Sequence, residues 1–287
     1  MSDLSKLEIP GHLTFTVGKG GLPKIRIESE HSLAEIYLHG AHITHFQKFG
    51  EPPLLFLSGS SEFDCSKPIR GGVPIIFPWF GPREGLPAHG FARTAAWNLT
   101  ATSALADGSV ELHLRLPDVE AFSVEFIVTV GKSLTMEMTV TNESSQDSTF
   151  ENCLHTYFQI SDIHAIAIIG LQNTTYHDKV ADVELLETAP ALRFDREVDR
   201  VYFDTSATTE ILDPGLKRTI RVEKSGSSST VVWNPWIDKS KRMADFGDDE
   251  YLQMVCVESG NVSSNEIILP PGGRAVMKVE VSSEKLA

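Results

Sequence analysis

Val110-Glu-Leu-His-Leu-Arg-Leu116, Ser123-Val-Glu-Phe-Ile-Val-Thr-Val130 and Leu134-Thr-Met-Glu-Met-Thr-Val140 decide the fold class. In each, apolar side chains recur at every second residue, the period of a strand with one buried face. The connections carry turn chemistry. Asp107-Gly108 separates the first run from Asn98-Leu-Thr-Ala-Thr102, and Gly131-Lys132 separates the last two. Glycine reaches the positive φ that tight hairpins demand, so neighbouring runs read as antiparallel partners.

The same period extends in both directions. Residues 24–29, 34–38 and 41–46 alternate on the N-terminal side. Residues 149–159, 165–169, 219–222, 230–233, 252–257, 266–269 and 275–281 do so on the C-terminal side. Helical periodicity is confined to single turns near 118–122 and 239–245. More than a dozen short strands, punctuated by Gly, Pro, Asn and Asp, imply an all-β antiparallel sandwich or barrel with very little helix. No fixed-period repeat, low-complexity tract or linker divides the chain, so residues 1–287 are expected to form a single domain.

The chain carries 39 Asp+Glu against 25 Lys+Arg, a net charge of −14. A polyanion would be repelled at long range, which argues against a nucleic-acid or membrane-surface role. A small anionic substrate answers instead to two or three local arginines. Cys65, Cys153 and Cys256 are an odd set without CxxC spacing, so neither a disulfide framework nor a zinc ribbon is expected. Met1-Ser-Asp-Leu-Ser-Lys6 lacks the basic and apolar regions of a secretion signal, and no apolar run reaches membrane-spanning length. A reduced, cytoplasmic location is the expectation.

Chemistry concentrates where the strand period stops. Arg70-Gly-Gly-Val-Pro-Ile-Ile-Phe-Pro-Trp-Phe-Gly81 and Leu86-Pro-Ala-His-Gly-Phe-Ala-Arg93 sustain neither a helical nor a strand period. Pro and Gly fix such a backbone through φ, and Phe77, Trp79 and Phe80 are costly to leave in water. Arg70, His89 and Arg93 therefore stand on a rigid, partly buried binding surface, or on a long structural loop that leaves them solvated.

Two strands supply candidate acid and base groups. Glu151-Asn-Cys-Leu-His-Thr-Tyr-Phe158 puts Glu151, Cys153, His155 and Tyr157 on one face. An imidazole titrates near neutrality and suits a general acid, although a core histidine bonded to a carbonyl fits the same position. Leu252, Met254, Cys256 and Glu258 share a face, so Glu258 ends an apolar row. A carboxylate there is paired, used in chemistry, or emerging at the sheet rim beside a Ser259-Gly260 turn. Asp199 reads as a loop salt-bridge partner. Trp233-Asn-Pro-Trp236 reads as a sugar platform or as a satellite core under a loop. No P-loop, dinucleotide fingerprint, GxSxG elbow or HExxH is present. His39, His42 and His45 lack an acidic or thiol partner at ligand spacing, so no metal is expected.

Taken together, seven segments resemble the aldose 1-epimerase (mutarotase) superfamily, and within it the glucose-6-phosphate 1-epimerase, or hexose-6-phosphate mutarotase, family. They are Arg70-Gly-Gly-Val-Pro74, Phe77-Pro-Trp-Phe-Gly-Pro82, His89-Gly-Phe-Ala-Arg93, Leu154-His-Thr-Tyr-Phe158, Asp199-Arg-Val-Tyr202, Val232-Trp-Asn-Pro-Trp236 and Val255-Cys-Val-Glu-Ser-Gly260. They stand in family order and span nearly the whole chain. The resemblance implies a galactose mutarotase-like β-supersandwich with its site in a cleft on one sheet. It implies His155 as general acid and Glu258 as general base, without metal or cofactor. Arg70, His89, Arg93 and Asp199 match its substrate-binding positions, the arginines serving a phosphate, and Trp233 is the candidate sugar platform. The implied partner is a small phosphosugar, with no nucleic acid or membrane, and a monomer is expected. In phosphosugar-specific members the residue before the His-Gly pair is often Gln, and here it is Ala88. The alternatives are a mutarotase for neutral aldohexoses and a non-catalytic carbohydrate-binding sandwich.

Overall fold

The three alternating runs pair as antiparallel neighbours in the computed structural model, which describes residues 4–117 and 119–286. Leu114, Phe126 and Met138 stand side by side across them and are buried, while Arg115, Glu125 and Glu137 point to the other face. The alternation thus sets the register, because a slip of one residue would turn every apolar side chain to the wrong face.

Two eight-stranded antiparallel sheets dominate. One runs Ala167–Ile169, Thr209–Asp213, Arg218–Ser225, Arg274–Lys285, Leu134–Asn142, Phe122–Val130, Val110–Leu116 and Asn98–Ala104. The other runs Val183–Leu186, Thr175–Asp178, Val198–Tyr202, Ser229–Asn234, Met254–Asn261, Asn152–Leu154 and Ile75–Ile76, with Tyr157–Gln159 also paired to Met254–Asn261. A four-stranded sheet, Leu13–Val17 to His42–Lys48, and the pair Ser148–Phe150 with Ile267–Leu269 complete the set. Phe126 and Met138 from the first sheet, Val232 and Val257 from the second and Ile25 and Ile36 from the four-stranded sheet belong to one continuous core. Val231 and Cys153 belong to a separate small cluster, so the second sheet turns its other face outward around them. That outer face carries the candidate site.

Several boundaries differ from expectation. Residues 149–159 form three short strands, Ser148–Phe150, Asn152–Leu154 and Tyr157–Gln159, with an interruption at His155 and Thr156. Ser259 and Gly260 do not turn. They pair with Thr230 and Ser229, and the strand Met254–Asn261 runs on to Asn261. The helix expected near 239–245 is a short one, Trp236–Ser240. Of the turn expected near 118–122, Asp118 lies outside the described residues and Phe122 opens a strand. Leu13–Val17, Thr175–Asp178, Val183–Leu186, Val198–Tyr202 and Thr209–Asp213 are strands that the alternation did not predict.

The Gly- and Pro-rich stretch is stitched into this frame. Ile75–Ile76 forms the edge strand beside Asn152–Leu154, and isolated bridges join Ile43 to Val73, Leu57 to Gly71 and Phe77 to Gly90. Gly90 adopts φ +70°, and a Cβ there would stand 2.0 Å from the Phe77 carbonyl oxygen. Only glycine tolerates both demands. Its neighbour His89 adopts φ +66°, a conformation most side chains avoid.

Candidate active site

Glu258 lies in the middle of Met254–Asn261, opposite Val231, and is 1% exposed. Continued pairing through Asn261 is what buries it; it does not emerge at a rim. Its Oε1 stands 3.2 Å from His155 Nε2. The interruption at His155 frees that residue from the ladder: its N–H donates to the Pro74 carbonyl, and its ring turns to the outer face. Tyr157 stacks on the imidazole at 4.8 Å and 14°, while Trp233 and His89 meet it edge-on at 5.9 Å and 6.0 Å. Aromatic packing on three sides fixes the ring's orientation.

A cavity of about 250 Å³ opens over this pair, with Arg70, His89, Asp199, Trp233, His155 and Glu258 in its wall. Asp199 and Trp233 are cross-strand partners, and Trp233 also pairs with Cys256, so adjacent strands bring these side chains together. Arg70 donates Nη1 to the Tyr157 hydroxyl at 3.0 Å and Nε to Asp245 Oδ2 at 3.1 Å. Arg93 lies outside the cavity wall but within electrostatic reach of Arg70, His89 and His155. It donates Nη2 to the Ala88 carbonyl at 2.7 Å and, among the described residues, makes no ion pair. Residue 88 thus serves Arg93 through its backbone, where a side-chain amide would add a further polar group.

The electrostatics oppose charge on both central groups. Burial, and then Asp199, hold the Glu258 carboxyl well above its ordinary pKa. Burial, and then His89, Arg70 and Arg93, hold His155 well below its own. His89 is lowered to about 3 by burial and by Arg93, Lys179 and Arg70. Burial also pushes Arg93 down to about 10, a direction consistent with a guanidinium that has no carboxylate beside it. Oppositely displaced acid and base in one cleft mark a functional site.

Several contributors were not singled out from the sequence. Lys179 Nζ and Lys239 Nζ lie 4.0 Å and 3.6 Å from the Asp199 oxygens, at the cavity rim. Asp245 anchors Arg70. Tyr157 shares the alternating face with His155, the one signal that pointed to it. Glu151, expected on that face, accepts from the backbone N–H groups of Phe80 and Ser263 instead. Trp236 packs on Tyr251 and His164, so Trp233 alone of that aromatic pair lines the cavity. His155, Cys256 and Glu258 bring possible metal-ligand atoms within 4.8 Å of one another. Burial, and then Glu258, raise the pKa of the Cys256 thiol, and His155 and Glu258 are each other's partners. His39 and His42 each turn Nε2 to a backbone carbonyl, of Lys67 and Gly71 respectively.

The sequence matches the aldose 1-epimerase family over residues 23–282. A Cenchrus ciliaris protein named "putative glucose-6-phosphate 1-epimerase" is 35% identical over 285 residues, covering 92% of this chain and 86% of its own. An Escherichia coli (strain K12) protein of the same name is 36% identical over 244 residues, covering 81% of each chain. The crystal structure of a "putative mutarotase" from Salmonella typhimurium superposes with a TM-score of 0.89 at 30% identity, over 99% of each chain. A galactose mutarotase-like protein from Clostridium acetobutylicum shares the fold, with a TM-score of 0.71 at 14% identity over 95% of this chain and 98% of its own. Matched along most of its length and built as a galactose mutarotase-like sandwich, the chain belongs to the aldose 1-epimerase family.

Proposed function

We propose that the protein interconverts the α and β anomers of hexose 6-phosphates, D-glucose 6-phosphate first among them, by acid/base-catalysed ring opening and reclosure. One observation carries this reading: a buried carboxyl group and an imidazole 3.2 Å apart, in a cavity lined by Arg70 and with Arg93 within electrostatic reach. The names of the plant and bacterial relatives support the choice of sugar phosphate.

Glu258 takes the proton of the anomeric hydroxyl while His155 protonates the ring oxygen. The C1–O5 bond breaks with its electron pair on O5, and C1 becomes an aldehyde. Rotation about C1–C2 presents the other carbonyl face. Reclosure returns both protons, with Glu258 now the acid and His155 the base. Arg93, lacking a carboxylate partner, is the readiest receptor for the phosphate, and its fork suits phosphate oxygens. A phosphate dianion beside Arg93 and Arg70 would also cancel the positive field that disfavours the imidazolium. Asp199 and His89 would bind sugar hydroxyls, and the Trp233 ring would support the sugar face.

A neutral-aldohexose reading draws on one observation: Arg70 already has Asp245 for a partner, which suits a structural role. Magnetisation-transfer NMR on glucose 6-phosphate and on glucose separates the two. Acceleration confined to the phosphosugar is expected. Equal acceleration of glucose would remove the phosphate from the assignment, and acceleration of neither would leave a binding sandwich.

A further inference from the structure

We propose that Cys153 is a positioning residue for Glu258: its thiol donates to Oε2, turns Oε1 toward His155 and stabilises the ionised carboxylate. The inference rests on reading Glu258 as the base. Cys153 Sγ lies 3.5 Å from Glu258 Oε2, within the range for a sulfur donor. Oε1 is taken up by His155, so among the described residues the thiol is the hydrogen-bond donor that Oε2 has. Both side chains are shut off from solvent, and Ile76, Val201 and Val231 pack around the thiol. No water is needed to explain the contact.

The backbone makes room for it. Gly260 is the cross-strand partner of Cys153, and a Cβ there would stand 2.8 Å from Cys153 Cβ and 2.9 Å from Sγ. The missing side chain at 260 lets the thiol lie against the strand, two residues beyond the carboxylate. Burial, and then Glu258, push the thiol pKa up, so it stays an S–H donor and does not become a competing anion. The other titratable or charged groups facing Glu258 are His155, Tyr157, Asp199, Lys179 and Cys256. Those facing Cys153, besides Glu258, are Glu151, Lys224 and Cys256. None of them replaces the bond to Oε2. A hydrogen bond to the charged form favours that form, and a hydroxyl donates more strongly than a thiol.

Cys153→Ala and Cys153→Ser in the full chain test this. Infrared titration follows the Glu258 carboxyl band, identified by its loss in Glu258→Gln, beside pH–rate profiles with glucose 6-phosphate. Cys153→Ala should move the Glu258 titration, and the acid-side rate break of the His155–Glu258 pair, to higher pH. It should lower kcat about tenfold at neutral pH, as expected for one donor to a charged group, with KM changed less than about twofold. Cys153→Ser should move the same titration to lower pH. A carboxyl titration unmoved in Cys153→Ala, or moved the same way by both variants, overturns the proposal. Should Cys153→Ala fail to fold, the serine variant decides alone: no downward shift sinks the idea. Native turnover in Glu258→Gln would instead remove the base assignment, while the infrared shifts would still report the hydrogen bond.

Discussion

His155 Nε2 and Glu258 Oε1 stand 3.2 Å apart, and the surroundings of each push against its charge. The arrangement works against a resting ion pair. At this distance a proton moves between the two with little rearrangement, so acid and base titrate as one unit. In the proposed reaction the productive form, a carboxylate beside an imidazolium, requires that the field of Arg70 and Arg93 be cancelled, as a phosphosugar would do on arrival.

Removing either group should stop ring opening without unfolding the chain. His155→Ala and Glu258→Gln are each expected to lose about 10²–10⁴-fold in kcat, the range for a positioned proton-transfer group. Glu258→Gln should also raise the melting temperature. The Glu258 pKa is raised above 4.5 in the folded state, so at neutral pH the unfolded chain gains from ionising it and the folded chain does not. Glutamine removes that penalty and keeps the shape. Wild-type anomer exchange in either variant, read by NMR, would refute the acid/base assignment.

Activity should depend on pH as a bell. At low pH Glu258 is protonated and cannot take the anomeric proton. At high pH the pair loses its last proton, and the ring oxygen receives none. The two breaks in kcat/KM belong to the pair, not to either residue. A profile that stays flat from acid to alkaline pH would mean that chemistry at this pair is not limiting.

Arg93 and Arg70 should respond differently to removal. Arg93→Ala deletes a guanidinium that donates to the Ala88 carbonyl and, among the described residues, makes no ion pair. It should cost the phosphosugar reaction about 2–4 kcal/mol of transition-state binding, as for losing a buried charge partner, and leave glucose nearly unaffected. Arg70→Ala also releases Asp245 and Tyr157, and Tyr157 stacks on His155. That variant should impair both substrates. Paired kinetics on the two sugars check this, and equal losses in Arg93→Ala would place the phosphate elsewhere.

What the sequence revealed, and what it hid, follows from the range of each signal. Period-two alternation is local, so Leu114, Phe126 and Met138 announced their sheet, and Cys153, His155 and Tyr157 their shared direction. The apolar row ending at Glu258 marked a costly carboxylate. Its depth was misread because Ser259-Gly260 resembles a turn, whereas Gly260 is small to make room for Cys153 in the next strand. Lys179, Lys239 and Asp245 carried no local signal. Lys179 and Lys239 reach the cavity from a strand end and a short helix, Asp245 reaches Arg70 from a loop, and only the three-dimensional path brings them to Asp199 and Arg70. Lys179 follows Thr175–Asp178, a four-residue strand too short to announce itself by period.

Acid should destabilise the fold partly through His42. This side chain is fully buried, donates Nε2 to the Gly71 carbonyl at 2.7 Å and leaves Nδ1 without a partner. Burial lowers its pKa from 6.5 to about 3. Below pH 6.5 the unfolded chain takes up a proton that the folded chain refuses, so stability is complete above 6.5 and lost as pH falls toward 3. The loss approaches about 1.4 kcal/mol per pH unit within that window, and ends below it. His42→Gln keeps a donor for Gly71 and removes the titration. Urea unfolding at several pH values should therefore show a shallower acid slope in the variant than in the native chain. His89 and Glu258 titrate in both proteins and cancel in the difference. The added proton enters at Nδ1, which has no partner, while Nε2–H goes on donating to Gly71, so the penalty is that of a buried charge and not of a lost hydrogen bond. Parallel slopes in the two proteins would show that His42 takes up its proton in the folded chain as readily as in the unfolded one, and would sink the prediction.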